Sequence, residues 1–166
     1  MTKTLFLIRH AKSSWDQPGL RDFDRSLNER GLRDAPIMAQ LLRTHITEPV
    51  LIVSSPAKRA LTTARFFAAA FSIQEEAIVL QPNIYEATGY QLLKIISSLP
   101  DVADTILMFG HNPTFTDVAN LFSDDLIANL PTCGIVQIKS TAQKWSELYD
   151  DNSEVVWKLF PKDAAY

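Results

Sequence analysis

Cysteine is all but missing from this chain: Cys133 stands alone among 166 residues. That excludes an internal disulfide and suits a reducing compartment. Its simplest role is that of a small core residue. No apolar run approaches the roughly 18 residues of a membrane span, and no long apolar stretch with a cleavage site opens the sequence, so a cytoplasmic location is expected. Charge of one sign is not in excess either, since 16 Lys and Arg face 19 Asp and Glu for a net charge of -3 and a pI near 5.6. Such a chain has no overall field for nucleic acid or an acidic membrane; any anion it binds must be held by a local cluster. There is no G-x-G-x-x-G after the first strand candidate and no H-E-x-x-H, which removes the usual signals of a dinucleotide enzyme and of a zinc hydrolase. Internal repeats and low-complexity tracts are absent as well.

What remains is an ordinary globular composition, 46% hydrophobic and 21% charged, long enough to bury a full core as one domain over residues 1–166. The chain is organised around Leu5-Phe6-Leu7-Ile8 and the residues that follow, Arg9-His10-Ala11-Lys12-Ser13-Ser14. Four apolar residues in a row read as a strand buried on both faces, as in the middle of a parallel sheet. Polarity then reverses within one residue. Ligands of open α/β sheets bind at the carboxyl ends of strands, and an arginine beside a histidine there suits an anionic, oxygen-rich group. Taken alone, the dipeptide is equally a basic strand end in water.

The same pattern returns twice. Val50-Leu51-Ile52-Val53 ends in Ser54-Ser55-Pro56, and a helix is predicted over Ala57 to Phe71, with Ser55 as its N-cap, Pro56 at its first position and Arg59 in its first turn. Thr105 to Phe109 is the most apolar strand candidate and stops at Gly110-His111-Asn112-Pro113, after which Thr114 is predicted to cap a helix from Phe115 to Phe122. Repeated βα units build a parallel sheet whose strand ends share one edge, so Arg9, His10, Arg59 and His111 are expected to meet. Between these units lie a charged loop with Asp22-Phe23-Asp24-Arg25, which either covers the site or is solvated, and an amphipathic helix ending near His45. His45 reads as a surface residue favoured by the helix dipole. Gly31 and Pro36 predict irregular opening turns for that helix, or place Pro36 in its first turn. Ile78-Val79-Leu80 is a short third strand candidate. Glu86 falls in the loop before a helix over Tyr90 to Leu99, capped by Thr88 or Gly89. Near the end, Gly134 to Ile138 and Val155 to Phe160 read as an antiparallel pair at the sheet margin.

Together Leu7-Ile8-Arg9-His10, Val53-Ser54-Ser55-Pro56 with Arg59-Ala60 and Thr63-Ala64, Tyr85-Glu86-Ala87 and Gly110-His111-Asn112-Pro113 resemble the motifs of the histidine phosphatase superfamily, in order along the whole chain. The short SixA-type phosphohistidine phosphatases are the branch it most resembles. The resemblance implies an α/β three-layer sandwich, with a mostly parallel central sheet flanked by helices and antiparallel strands at the C-terminal end. It implies His10 as nucleophile, Arg9, Arg59 and His111 as phosphate ligands and Glu86 as the acid; Lys12 and Asn112, beside the two histidines, are further expected substrate contacts. No metal or other cofactor is implied. The expected partner is a phosphohistidine-containing protein or a small phosphoester. Two departures stand out. Ala11 and Lys12 replace the glycine that often follows the first histidine, so Lys12 either adds charge to the rim or lies outside it. Ser26 takes the place of a proline in Asp24-Arg25-Ser26-Leu27.

The chemistry implied is hydrolysis: His10 attacks phosphorus in line, and water later cleaves the phosphohistidine intermediate. A chain of this length has little left over for the lids a mutase needs to retain its intermediate. One rival is a metal hydrolase built on His10, His45 and His111; another is a non-enzymatic module that binds phosphorylated partners through the same basic pocket.

Overall fold

The structure, a computed structural model, describes residues 2–164. Six strands form one sheet: β1 (Lys3–Arg9), β2 (Leu51–Ser54), β3 (Val79–Leu80), β4 (Thr105–Gly110), β5 (Ile135–Ser140) and β6 (Ser153–Leu159), in the spatial order β3-β2-β4-β1-β5-β6. The first four run parallel, whereas β5 lies antiparallel to β1 and β6 antiparallel to β5. That is the mostly parallel sheet with an antiparallel margin that the sequence predicts.

Side chains on a strand alternate between faces, and β1 shows why its apolar run had to be continuous. Phe6 and Ile8 enter the core under α1 (Glu29–His45) and α2 (Lys58–Ala70), while Leu5 and Leu7 enter the core under α3 (Gly89–Ser97) and α4 (Thr114–Leu121). All four side chains are fully buried, each stabilising the fold by roughly 1.5–3 kcal/mol. The result is three layers, helices on both faces of the sheet. β3 is only two residues long and exposed, a short edge of the kind that resists pairing with other chains. Among the described residues no helix is long and apolar enough to cross a membrane.

Three local expectations need correction. α1 starts at Glu29, capped by the Asn28 side chain, and carries Pro36 in its interior rather than in its first turn. Proline there removes a backbone bond, but Ala35, Met38, Ala39 and Leu42 are fully buried on the helix's core face. Tertiary packing outweighs the local penalty. α2 is flanked by Ala57 without a side-chain cap, so Ser55 is not its N-cap. α4 starts at Thr114, and the side chain that serves its first turn belongs to Asn112, whose Oδ1 accepts from the amide and the hydroxyl of Thr116 at 3.2 and 2.9 Å.

Gly110 closes β4 where there is no room for a side chain. A Cβ at this position would collide with the Phe115 ring and press on Ile84. Gly110→Ala is therefore expected to lower the free energy of unfolding by about 1–3 kcal/mol, the usual cost of overpacking. Urea denaturation of wild type and variant measures it.

Candidate active site

The parallel register decides which residues share the carboxyl edge. Arg9 pairs with Gly110 across β1 and β4, and Ser54 pairs with Phe109 across β2 and β4. The residues just beyond, His10, Ser55 and His111, therefore emerge side by side. The backbone there is bonded on both sides of the nucleophile candidate: His10 N donates to Gly110 O at 3.1 Å, and Cys133 N donates to the carbonyls of Arg9 and His10, each at 3.0 Å. Thr63, one turn along α2 from Arg59, donates to Arg59 O at 2.7 Å and accepts from Ala11 N at 2.9 Å. A single hydroxyl thus fixes α2 against the end of β1.

His10 is 6% exposed. Its Nδ1 lies 2.7 Å from the carbonyl oxygen of Ala11. A carbonyl only accepts, so the proton sits on Nδ1 and the lone pair on Nε2. Nε2 faces Arg59, whose Nε is 3.4 Å away. The His111 ring stands with its centroid 5.4 Å from that of His10. Its Nε2 is 2.8 Å from Ser55 Oγ, and Ser55 Oγ also accepts from Ala57 N. The Ser55 hydroxyl can donate to His111 Nε2 or accept from it, and His111 Nδ1 takes the complementary role, donor or acceptor. His111 Nδ1 and Arg9 Nε are both buried with no partner among the described residues, although Arg9 is anchored by Nη1 donating to Leu130 O at 3.0 Å. Buried N–H groups normally have partners. An unpartnered guanidinium N–H and an unpartnered imidazole nitrogen beside His10 Nε2, to which Arg59 Nε donates at 3.4 Å, outline a socket for an oxyanion.

Electrostatics agree with the geometry. Burial, more than any neighbour, pushes the His10 ring down to about 3, with His111, Arg59 and Arg9 adding to the effect against the Ala11 bond. Burial and then the Arg59 charge likewise bring His111 to about 3. Burial and the Arg59 charge also lower the Arg9 guanidinium. The free site therefore holds two neutral imidazoles among cations.

A fifth group, which sequence reasoning did not single out, completes the cluster. Asp22, in a 3-10 turn over Asp22–Asp24, accepts from Arg59 Nη1 through its backbone carbonyl at 2.6 Å and from Arg59 Nη2 through Oδ2 at 2.9 Å. Tyr85 Oη donates to the same Oδ2 at 2.8 Å, and Arg25 Nε donates to Oδ1 at 3.1 Å. Burial alone would raise the Asp22 carboxyl, but the bonds from Tyr85, Arg59 and Arg25 outweigh it and hold it at about 2. Tyr85 moves the opposite way, raised by burial and by its bond to Asp22. Its ring meets Phe23 and His111 edge-on. The signal available in the sequence was the Asp22-x-x-Arg25 spacing within an aromatic, charged loop. That loop covers the site rather than hanging in solvent: Arg25 Nη1 donates to Ser13 Oγ, Ser14 N donates to Ser26 O, and Ser13 bridges to Leu27. Ser26 thus holds the loop through its backbone where a proline was expected.

The other expected site residues lie elsewhere. Glu86 is exposed, in left-handed backbone with φ 62°, and among the described residues no side-chain hydrogen bond or ion pair holds it. Its charge reaches Tyr85 and raises that phenol further. The Asn112 side chain donates at 2.8 Å to Leu130 O, the carbonyl that also anchors Arg9, and at 3.1 Å to Asn129 Oδ1, besides serving α4. Lys12 is half-buried, and its backbone carbonyl accepts from Asn28 N at the start of α1. His45 is not part of the cluster: it stacks on Trp157 at 3.9 Å and lies 2.9 Å from Gln137 Oε1, in a groove with Thr4 and Asp104 at the opposite edge of the sheet. The three histidines of the metal-hydrolase rival are therefore not brought together.

A family model of the histidine phosphatase superfamily (branch 1) matches residues 5–90. The chain belongs to this superfamily. An uncharacterized chloroplastic protein of Arabidopsis thaliana is 34% identical over 96% of the chain and 76% of its own length, and an uncharacterized protein of Mycobacterium leprae is 29% identical over 90% and 96%. Among solved structures, the SixA protein of Agrobacterium tumefaciens superposes with a TM-score of 0.80 at 30% identity, covering 97% of this chain and 99% of that one. SixA of Nakamurella multipartita matches with a TM-score of 0.78 at 25% identity and 97% coverage of both. The superfamily member described here is a histidine-dependent phosphatase of the SixA type.

A pH dependence follows from the two buried rings. Their pKa values are lower when folded than the ordinary 6.5, so between about pH 6.5 and 3 the unfolded chain binds more protons than the native one. Stability is expected to rise with pH across that window. Midpoints near 3 for His10 and His111 in an NMR titration, and lower urea midpoints at pH 4.5 than at pH 7, check it.

Proposed function

We propose that this enzyme is a metal-independent phosphatase that passes the phosphoryl group through a phosphohistidine intermediate on His10, with protein phosphohistidine as its substrate. The observation that carries the reading is the pair of unpartnered buried nitrogens, Arg9 Nε and His111 Nδ1, beside the Nε2 lone pair of His10. Arg59 is bonded to Asp22 on one side and reaches His10 with its Nε on the other. A phosphoryl group in the socket would take charge-assisted bonds from Arg9 and Arg59 and a bond from His111, which neutralise its equatorial oxygens. His10 Nε2 would then form a bond to phosphorus as the bond to the leaving group breaks. The Nδ1 proton stays on the ring, held by Ala11 O, so His10 is itself restored as a neutral leaving group when water attacks the intermediate.

Substrate class is argued from what the site lacks in acids. Asp22 is ionised at neutral pH, and Glu86 is exposed and unheld. Neither is poised to give a proton to an alkoxide, help worth roughly 10² to 10⁴ in rate. A phosphorylated imidazole takes its proton from water and depends on such help least. The solved SixA neighbours carry phosphohistidine in their names, in keeping with that choice. The phosphoprotein-binding module without catalysis is disfavoured by the His10 tautomer: a binding site has no use for a directed lone pair. The compartment proposed is the reducing cytoplasm, where the one buried thiol, Cys133, stays free.

The test is to incubate wild type and His10→Ala with a histidine-phosphorylated protein, a phosphoserine peptide and sugar phosphates in the presence of a chelator. Wild type is expected to release phosphate from the first at least tenfold faster than from the others and to trap an acid-labile phosphoenzyme on quenching. The variant should lose both, and equal activity of the variant would end the assignment of His10. Arg59→Ala should weaken vanadate inhibition at least tenfold, read from inhibition curves, with its thermal unfolding still cooperative.

A further inference from the structure

We infer that Asp22 selects nitrogen-linked phosphoryl groups, its carboxylate accepting the free ring N–H of a protonated phosphohistidine as that imidazole departs. The inference rests on the phosphohistidine reading above and adds the group that would enforce it.

Three observations carry it. Displacement at phosphorus is in line, so the leaving group sits opposite the attacking atom. His10 is almost fully buried, which places the departing group on the solvent side. Asp22 occupies that side: its side chain is 49% exposed, while the Arg59 side chain it contacts is 7% exposed. Second, the carboxylate has capacity left. It offers about four acceptor positions; Oδ2 takes Arg59 and Tyr85, and Oδ1 takes Arg25 alone. Third, every group facing it from the surrounding elements is a donor or a cation, namely Arg59 from α2, Tyr85 beyond β3 and Arg25 on its own loop, with His111 close enough to feel its charge. The Glu86 carboxylate stands outside that set, its charge reaching the Tyr85 phenol.

A protonated phosphoimidazole offers this carboxylate a cationic N–H. When the P–N bond breaks, its electron pair passes to the ring nitrogen that held phosphorus. The other ring nitrogen keeps its proton, and a neutral imidazole leaves. An alkoxide or phenoxide offers no N–H and develops negative charge beside Asp22, which repels it. The same residue thus favours one class and opposes the other.

Asp22→Asn and Asp22→Glu, compared with wild type on a phosphohistidine-containing peptide and on p-nitrophenyl phosphate, provide the test. In Asp22→Asn the ratio of kcat/KM for the peptide over that for the aryl phosphate should fall at least tenfold, the usual scale of a charge-assisted bond. Its kcat for the peptide should also begin to decline at a pH about one unit lower, because the bound leaving group no longer has its proton stabilised. Asp22→Glu should keep the wild-type ratio within about threefold, and carries the test if Asp22→Asn does not fold. Parallel losses on both substrates, with no change of pH profile, would reduce Asp22 to a support for Arg59 and overturn the inference alone. A wild type without turnover of the peptide would overturn the phosphohistidine reading and this inference with it.

Discussion

Two guanidinium groups and two imidazoles share a space from which water is largely excluded, and the imidazoles give up their protons so that the guanidiniums can keep theirs. Everything at the carboxyl edge depends on that division of charge. A cationic His10 would have no lone pair to offer, and a cationic His111 would add to an already crowded positive field. Desolvation and the neighbouring arginines act in the same direction, so the cluster is electron-deficient around a neutral His10. Asp22 offsets the Arg59 charge, and the oxyanion of the proposed substrate would offset what remains.

The scaffold meets this demand with very few residues. Parallel pairing of β1 with β4 brings Arg9 opposite Gly110, and the chain needs only one further residue on each strand to present both histidines. The bare Cα of Gly110 lets Phe115 and Ile84 pack directly beneath the edge, which sets the height of His111. Thr63 performs the same service for Arg59 by bonding across to Ala11. Positioning is thus done by backbone pairing, the hydroxyls of Thr63 and Ser55, and the Asp22 carboxylate.

Much of this was legible in the letters, and the exceptions have physical causes. Continuous apolar runs identified β1, β2 and β4 because strands covered on both faces cannot alternate, and the reversal to Arg9-His10 and Gly110-His111 marked where they stop. Arg59 was readable because helix starts follow strand ends in βα units. Asp22 was not, since its partners Arg59 and Tyr85 lie 37 and 63 residues away, and a charged loop carries no periodicity to reveal which side is covered. Ser55 was misjudged through a rule of local preference, since a serine before proline reads as a cap, yet its hydroxyl meets His111; Asn112, expected as a substrate contact, bonds Leu130 O, Asn129 and the first turn of α4. Pro36 erred in the same manner, because burial of the α1 core face outweighs a single missing backbone bond.

The amide of Cys133 bonds to the carbonyls of both Arg9 and His10 from a left-handed turn far along the chain. The family-matched segment, residues 5–90, contains the proposed nucleophile His10 and both arginines of the cluster, Arg9 and Arg59, but the segments that hold them still arrive with β4 and the approach to β5. A fragment ending before β5 would carry the proposed nucleophile without the amide that holds the carbonyls on either side of its ring, so the cluster as described needs the C-terminal third of the chain.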